Sequence, residues 1–217
     1  MIKSPLKKAF IIILGVIILD QAIKFWVKST MLLGEPHRVL GNWFFIHFTE
    51  NEGMAFGMSL GGNFGKLFLS LFRIVAVIIL SWWLYRITRR KVPTGLIVSI
   101  SLIIAGALGN IIDSAFYGLL FSESTGMQVA QFLPPGGGYA GFLHGRVVDM
   151  LYFPILRTHF PSWVPVWGGD EFVFFRPVFN IADSSITTGV LLLIFFQKRF
   201  FRKQEEEVPA GPAGPSI

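Results

Sequence analysis

The chain of 217 residues contains no cysteine. It therefore has no disulfide, no thiolate metal ligand and no cysteine nucleophile. The absence of cysteine is compatible with a segment that faces an oxidising compartment. The histidines do not have the spacing of metal ligands, so we predict neither a metal site nor a cofactor. We interpret them as surface or interface residues: His37, His47, His144 and His159.

Charged residues are also scarce. They make up 15% of the chain against 53% hydrophobic residues, and the mean hydropathy is +0.60. Such a chain is too apolar for an ordinary soluble domain and long enough for several membrane spans. The net charge of +6 would by itself suit a nucleic-acid-binding protein. The basic residues instead cluster at the ends of apolar runs, so we expect no nucleic-acid partner.

Four apolar stretches are long enough to cross a bilayer, which takes about 20 residues in a helix. They lie at about 9–27, 67–85, 94–116 and 178–196. The sequence therefore predicts an all-α membrane bundle of four transmembrane helices, formed by a single domain over residues 1–203.

The two ends of the chain need separate interpretations. Lysines precede the first apolar stretch, as in a cleavable signal peptide. No small-x-small cleavage site follows, and Asp20 and Lys24 come in its place. We therefore expect this helix to be retained. The tail 204–217 consists mainly of Glu, Pro, Gly and Ala, and we expect it to be disordered.

Three groups of basic residues give the orientation of the helices. They precede the first span, fill the connection between the second and third spans, and follow the fourth. With four spans all three groups lie on one side, so the positive-inside rule predicts two cytoplasmic termini. The segments 28–66 and 118–177 then lie outside. Residues 39–58 mix β-branched, aromatic and turn residues, which predicts short strands.

Several polar residues lie at one depth in this arrangement. An ionisable residue inside a span is costly to bury and is a candidate for function by default. With both termini inside, one layer near the outer surface contains Asp20, Lys24, Asn110, Asp113, Asn180 and Asp183, together with Asp149 of the outer loop.

Each of these residues also has a purely structural interpretation. Asp20 and Lys24 are four residues apart and can simply neutralise one another. Asn180 or Asp183 can be a helix N-cap. Arg73, in the second span, is expected to pair or to snorkel, and we assign it no catalytic role. Spacing alone leaves the structural and the functional interpretations open.

Two carboxylates in a partly dry site form a useful chemical unit. They cannot easily both ionise and therefore share a proton. One can act as a base on a water molecule while the other donates a hydrogen bond to a carbonyl oxygen. The same residues would also serve an ion- or proton-coupled transporter. A peptidase, a transporter and a non-catalytic assembly factor therefore remain as alternatives at this point.

Five short motifs carry a resemblance to a known family. In chain order they are LDQAIKFWV (19–27), FTENEGMAFG (48–57), ALGNIID (107–113), VVDM (147–150) and FNIADSSI (179–186). Together they resemble the lipoprotein signal peptidases, also called type II signal peptidases, along most of the chain. Each motif is weak alone, but all five occur in the family's order and on the expected helices.

The resemblance implies a membrane aspartyl endopeptidase of the bacterial inner membrane with its site at the outer face. Its substrate would be a prolipoprotein that carries a diacylglyceryl group on a cysteine and is cut before that cysteine. It also implies a small extracytoplasmic β-sheet, contact with membrane lipid, and inhibition by globomycin; we expect a monomer. The implied catalytic residues are Asp149 and Asp183, and the implied substrate-binding residues are Asp20, Lys24, Asn51, Asn110, Asp113 and Asn180.

The chain departs from the family pattern in two places. Ser114 stands where an arginine usually follows the aspartate of GNxxD. We hypothesise that Arg146, three residues before Asp149, supplies this charge as a further substrate-binding residue; the alternative is an ordinary interface arginine. The stretch 119–145 is an insertion, for which a lid and a contact with a partner protein are both open interpretations.

Two rival functions fit the sequence less well. A transporter is disfavoured because no internal repeat relates the halves of the chain, and because the carboxylates lie near the surface rather than at the midplane. An intramembrane protease of the presenilin kind is disfavoured because its GxGD motif is absent and the spans are too few.

Overall fold

The structure is a computed structural model, and it describes residues 5–52, 62–90, 92–163, 165–174 and 176–200. The tail that was predicted to be disordered lies outside the described residues. So does the second half of the FTENEGMAFG motif.

Four long helices dominate the described part of the chain. They are α1 (Pro5–Thr30), α2 (Gly62–Thr88), α3 (Thr94–Ile112) and α5 (Ile181–Phe200). All four are long and apolar enough to cross a membrane. This confirms the predicted four-helix membrane bundle.

Two helices begin or end at residues that differ from the limits of the apolar stretches. The fourth stretch was expected to begin at residue 178, but Val178 and Phe179 form a strand and the helix begins at Ile181. At its C-terminal end α3 passes into a π-helical turn (Asp113–Tyr117) and then into the short helix α4 (Gly118–Leu120). The chain thus leaves the bundle directly beside Asp113.

Helices α3 and α5 approach each other closely because small residues lie between them. A Cβ atom on Gly106 would lie 2.2 Å from the carbonyl oxygen of Ala182, and one on Gly189 would lie 2.6 Å from that of Ser99. Small residues of this kind let helix backbones meet inside a membrane. The contact places the last turn of α3 beside the first turn of α5, which brings Asn110 and Asp183 together.

The bundle exposes many large apolar side chains on its outer surface. An apolar surface of this kind suits hydrocarbon chains, whereas water would disfavour it. Its core is made by α3, whose Leu96, Ile97, Ile100 and Ile104 are buried against α1 and α2. Exposed examples are Phe10, Phe68, Phe72, Ile78, Ile194 and Phe195.

Six short strands lie between the helices. Four form an antiparallel sheet in the order β1–β2–β3–β6, and β4 pairs with β5 in a separate hairpin. The first sheet confirms the predicted small β-sheet. The strands are β1 (Pro36–Leu40), β2 (Phe44–Asn51), β3 (Val147–Tyr152), β4 (Leu156–His159), β5 (Glu171–Phe174) and β6 (Val178–Phe179).

The insertion 119–145 packs onto the fold. The Phe121 ring is fully buried and lies 5.4 Å from the ring of Phe25 on α1, and the Phe132 ring lies 5.2 Å from the same ring. Tyr139 packs against the same core, which includes Phe48 of β2 and Val148 of β3. The insertion therefore joins the C-terminal end of α1 to the sheet.

Candidate active site

Asp149 is held in place by two asparagine side chains. Its carboxyl group is 3% exposed. Asn180 Nδ2 donates to Asp149 Oδ1 at 2.7 Å, and Asn51 Nδ2 donates to Asp149 Oδ2. In the β2–β3 register Asn51 lies opposite Val147, two residues from Asp149. Since side chains alternate along a strand, Asn51 and Asp149 lie on the same face of the sheet.

The environment of Asp149 favours its protonated form. Burial and, to a smaller extent, the nearby charge of Asp183 raise the pKa of this carboxyl group to about 8. Lys24 and the two asparagine amides oppose the shift without cancelling it. At neutral pH Asp149 is therefore mostly a carboxylic acid, which can donate a proton.

Asp183 lies in the first turn of α5 and is half-buried. Its Oδ1 accepts a hydrogen bond of 2.8 Å from Asn110 Nδ2. Its backbone N–H donates to Asn180 Oδ1 at 2.8 Å. Asn180 directly precedes the helix, so this second bond makes it the N-cap of α5.

The two aspartates are connected through a pair of asparagines. Asn180 Nδ2, which binds Asp149, also lies 3.3 Å from Asn110 Oδ1. Asn110 in turn donates to Asp183. Asn180 therefore fills both of the roles that the sequence left open, since it caps α5 and binds a candidate catalytic carboxyl group.

Lys24 is the centre of a buried ion cluster behind these asparagines. Its Nζ lies 2.9 Å from Asp20 Oδ2, 2.8 Å from Asp113 Oδ2 and 3.0 Å from Asn110 Oδ1. The Lys24 side chain is fully buried. A buried ammonium group needs such partners because its desolvation is costly. The i, i+4 ion pair expected from the sequence thus exists, as part of a larger cluster.

The same cluster ties four elements of the fold together. Asp20 Oδ1 accepts a 2.9 Å hydrogen bond from the backbone N–H of Ala182, in the first turn of α5. Asp113 accepts from Gln21 Nε2 at 2.8 Å and from the backbone N–H of Val148 in β3 at 3.2 Å. These bonds fix α1, α3, β3 and α5 relative to one another.

Arg146 lies among acidic side chains of β2 and of the insertion. Its guanidinium group lies 3.1 Å from Glu123 Oε1 and 3.5 Å from Glu50 Oε2, with the ring of Tyr139 at 5.3 Å. Its predicted role as a further substrate-binding residue stays a prediction.

Ser114 lies where the insertion returns to the bundle. It is buried, and its carbonyl oxygen accepts a 2.8 Å hydrogen bond from the backbone N–H of Gly145. A Cβ atom on Gly145 would lie 2.2 Å from the carbonyl oxygen of Asp113. The chain that follows the insertion therefore packs tightly against this turn.

A second buried cation was missed by sequence reasoning. Lys28 is fully buried, forms an ion pair with Glu50, and donates to Ser124 Oγ of the insertion at 2.8 Å. Ser124 Oγ also donates to Glu50 Oε1 at 2.9 Å. The signal was available, since Lys28 follows Lys24 by four residues and so lies on the same face of α1.

Arg73 was expected to pair or to snorkel, and acidic groups lie in its surroundings. It is half-buried on α2 and interacts electrostatically with Asp183, Asp113 and Asp149.

The described residues contain no group of three or more His, Cys, Asp or Glu side chains that could hold a metal ion. Asp149 and Asp183 form a carboxyl pair that can carry out acid–base chemistry, with Asp149 protonated at neutral pH.

Comparison with known proteins gives consistent results. The profile of a family described as Signal peptidase (SPase) II matches residues 12–199. The lipoprotein signal peptidase of Porphyromonas gingivalis is 57% identical over 184 residues, which cover 84% of this chain and 79% of that protein. The lipoprotein signal peptidase of Amoebophilus asiaticus is 32% identical over 206 residues, which cover 94% and 83% of the two chains.

A solved structure agrees with this result. It is described as a bacterial membrane enzyme structure obtained by the in meso method, and it is 27% identical to this chain. The superposition covers 93% of this chain and 94% of the other, with a TM-score of 0.55. The likeness thus extends over the whole bundle and its sheet. Together the matches rule out the transporter that the sequence left as an alternative.

Proposed function

The chain belongs to the signal peptidase II family and is a peptidase of the bacterial inner membrane with a prolipoprotein substrate, and on this premise we propose that Asp149 and Asp183 are its catalytic pair. The observation that carries the proposal is the asparagine bridge between them. Asn180 and Asn110 hold the two carboxyl groups in one unit, and Asp149 is protonated at neutral pH.

The reaction follows from this assignment of protons. The Asp183 carboxylate takes a proton from a water molecule, whose oxygen attacks the scissile carbonyl carbon. Asp149 gives its proton to the carbonyl oxygen, which produces a neutral gem-diol. Asp183 then protonates the leaving amide nitrogen, and Asp149 regains a proton from a diol hydroxyl as the C–N bond breaks. Both carboxyl groups return to their starting states.

We assign supporting roles to the polar residues around the pair. Asn51 and Asn180 orient Asp149, and Asn110 orients Asp183. Lys24, held by Asp20 and Asp113, stabilises the negative charge of the site. The exposed edge of β1 and the end of β2 are suited to hold an extended substrate backbone.

The substrate that fits this position is a prolipoprotein whose cysteine carries a diacylglyceryl group. Asp183 and Asp113 lie at the ends of membrane helices, next to the sheet. A peptide bond at this level meets water while the acyl chains stay among the lipids. We further propose that both termini are cytoplasmic, that the sheet faces outward, that globomycin occupies the same site, and that the enzyme acts as a monomer.

The test uses the purified full chain in detergent with a diacylglyceryl-modified prolipoprotein, and follows release of the signal peptide. Asp149→Asn and Asp183→Asn should each abolish release. Asp170→Asn, the same change at an exposed aspartate outside the site, should cleave like the wild type. Release that survives both site variants would contradict the proposed catalytic pair.

A further inference from the structure

Lys28, near the C-terminal end of α1, is enclosed by side chains of the insertion 119–145. Its ammonium group is fully buried and lies 5.3 Å from the centre of the Phe121 ring and 5.0 Å from that of the Tyr139 ring. It also donates to Ser124 Oγ at 2.8 Å. Aromatic faces and a hydroxyl oxygen stabilise a cation that is shielded from water. The insertion thus supplies part of what Lys28 needs in order to be buried.

Glu50 connects this enclosed charge to β2. Its carboxylate forms the ion pair with Lys28, and its Oε1 accepts a hydrogen bond from Ser124 Oγ at 2.9 Å. The Glu50 side chain is 2% exposed. Charge-assisted bonds of this kind, away from water, hold a side chain in one position. Ser124 of the insertion therefore bonds both members of the ion pair.

The next residue along β2 is Asn51, which ends the strand. Side chains alternate between the two faces of a strand. Glu50 therefore points toward α1 and the insertion, whereas Asn51 points the other way and donates to Asp149. The end of β2 is fastened on one face by the buried ion pair and holds a candidate catalytic carboxyl group on the other.

The insertion also holds the start of β3. Tyr139 Oη accepts a hydrogen bond from the backbone N–H of Arg146, which directly precedes this strand, at 2.6 Å. The guanidinium group of Arg146 lies 3.1 Å from Glu123 Oε1 of the insertion and 3.5 Å from Glu50 Oε2. The two strands that meet at the site are thus fastened to the same segment.

We propose that the insertion 119–145 is a positioning element for Asn51, and that Ser124 is the residue through which it acts. Ser124 fixes the buried ion pair at the end of β2, and Asn51 on that end fixes the Asp149 carboxyl group. The inference rests on the proposed function of the two aspartates. Positioning matters for the reaction because a displacement of about 1 Å at a reacting group can cost about a hundredfold in rate.

Ser124→Ala tests this role in the purified full chain with a diacylglyceryl-modified prolipoprotein. The change removes both hydrogen bonds of the insertion to the ion pair and leaves Lys28 and Glu50 in place. The kcat for release of the signal peptide should fall by about tenfold, because Asn51 is held less firmly. KM should stay near the wild-type value, since the proposal gives Ser124 no contact with the substrate.

Ser122→Ala is the matched control within the same insertion. The Ser122 hydroxyl accepts a 2.8 Å hydrogen bond from the backbone N–H of Gln131, which also belongs to the insertion. This variant should keep the wild-type kcat and KM. If the insertion is a lid that contacts the substrate, Ser124→Ala should raise KM instead. If it only docks another protein, both constants of the purified enzyme should be unchanged. Either result would overturn the proposal.

A double-mutant cycle shows whether Ser124 acts through Asn51. Asn51→Ala should lower kcat by about tenfold or more, because Asp149 loses a hydrogen-bond donor. Adding Ser124→Ala to this variant should cause little further loss, since the residue that Ser124 positions is already gone. A general weakening of the fold would multiply the two losses, and that outcome would count against the proposal. Glu50→Gln weakens the same ion pair and gives a second cycle if Ser124→Ala fails to fold.

The outcomes also separate this inference from the proposed catalytic pair. Release that is lost in Asp149→Asn and Asp183→Asn, with kcat unaffected by Ser124→Ala and Glu50→Gln, would overturn the role of the insertion alone. Release that survives both aspartate variants would overturn the catalytic pair. The cycle between Ser124 and Asn51 would then still decide whether the insertion acts through Asn51.

Discussion

Asn180 donates a 2.7 Å hydrogen bond to Asp149 with the same side chain that caps helix α5. One residue thus couples the position of a carboxyl group on the sheet to the start of a membrane helix. The two functions use different atoms, since the amide nitrogen binds Asp149 and the amide oxygen accepts from the backbone of Asp183. Substitution can therefore separate them.

Asn180→Ser should keep the cap and lose the bond to Asp149. Serine is a good N-cap, so the thermal stability in detergent should stay near that of the wild type. The loss of a hydrogen bond worth about 1–2 kcal/mol should lower kcat/KM by about tenfold or more. Asn180→Ala removes both bonds and should also destabilise by about 1 kcal/mol. Equal losses of stability in both variants would contradict this division of roles.

Peptidase activity should fall as the pH rises through about 8. The folded-state pKa of Asp149 lies above the ordinary value, so the group is protonated below about pH 8 and loses its proton above it. The proposed mechanism needs the protonated form, and the basic limb of kcat/KM reports its loss. Asn51→Ala removes a hydrogen bond that lowers this pKa, so its basic limb should move to higher pH. A wild-type rate that stays constant well above pH 9 would be incompatible with this role.

Gly106→Ala should disturb the contact between α3 and α5. The added methyl group would lie 2.2 Å from the carbonyl oxygen of Ala182, which is backbone and cannot rotate away. Overpacking of this kind costs about 1–3 kcal/mol, and it should also lower activity because Asp183 moves with α5. Gly15→Ala is the control, since no atom lies within 4 Å of its added methyl group. Thermal unfolding in detergent should show a lower midpoint for Gly106→Ala alone.

Lys28→Met should destabilise the protein because the buried Glu50 loses its direct ion pair and keeps only the longer contact with Arg146. Removing one member of a buried pair costs about 3–5 kcal/mol. Combining Lys28→Met with Glu50→Gln should recover part of this loss, because the uncompensated carboxylate is gone. The double-mutant cycle, measured by thermal unfolding, gives the coupling energy. Additive losses would mean that Lys28 and Glu50 do not depend on each other.

The sequence predicted the features that depend on local pattern. Apolar runs located the four spans, and the i, i+4 spacing of Asp20 and Lys24 anticipated their ion pair. The expectation that Asn110 and Asp183 share one layer agrees with the hydrogen bond between them. These predictions succeeded because a membrane restricts backbone geometry to a few solutions.

The features that the sequence did not show depend on long-range contacts. The side chain of Arg146 contacts Glu123 and Glu50, and spacing in the sequence alone does not show that these residues lie near it. The partners of Lys28 are Glu50 of β2 and Ser124 of the insertion, so its ion pair and hydrogen bond cannot be recognised from α1 alone.

The bond between Asp20 and the backbone N–H of Ala182 joins residues 162 positions apart in the chain. During synthesis α1 enters the membrane first and α5 last. Until the last helix arrives, Asp20 lacks this donor, Asn180 caps nothing, and the two aspartates are not in one unit. The proposed proteolytic centre is therefore assembled only when the final helix is inserted, so an unfinished chain should have no peptidase activity.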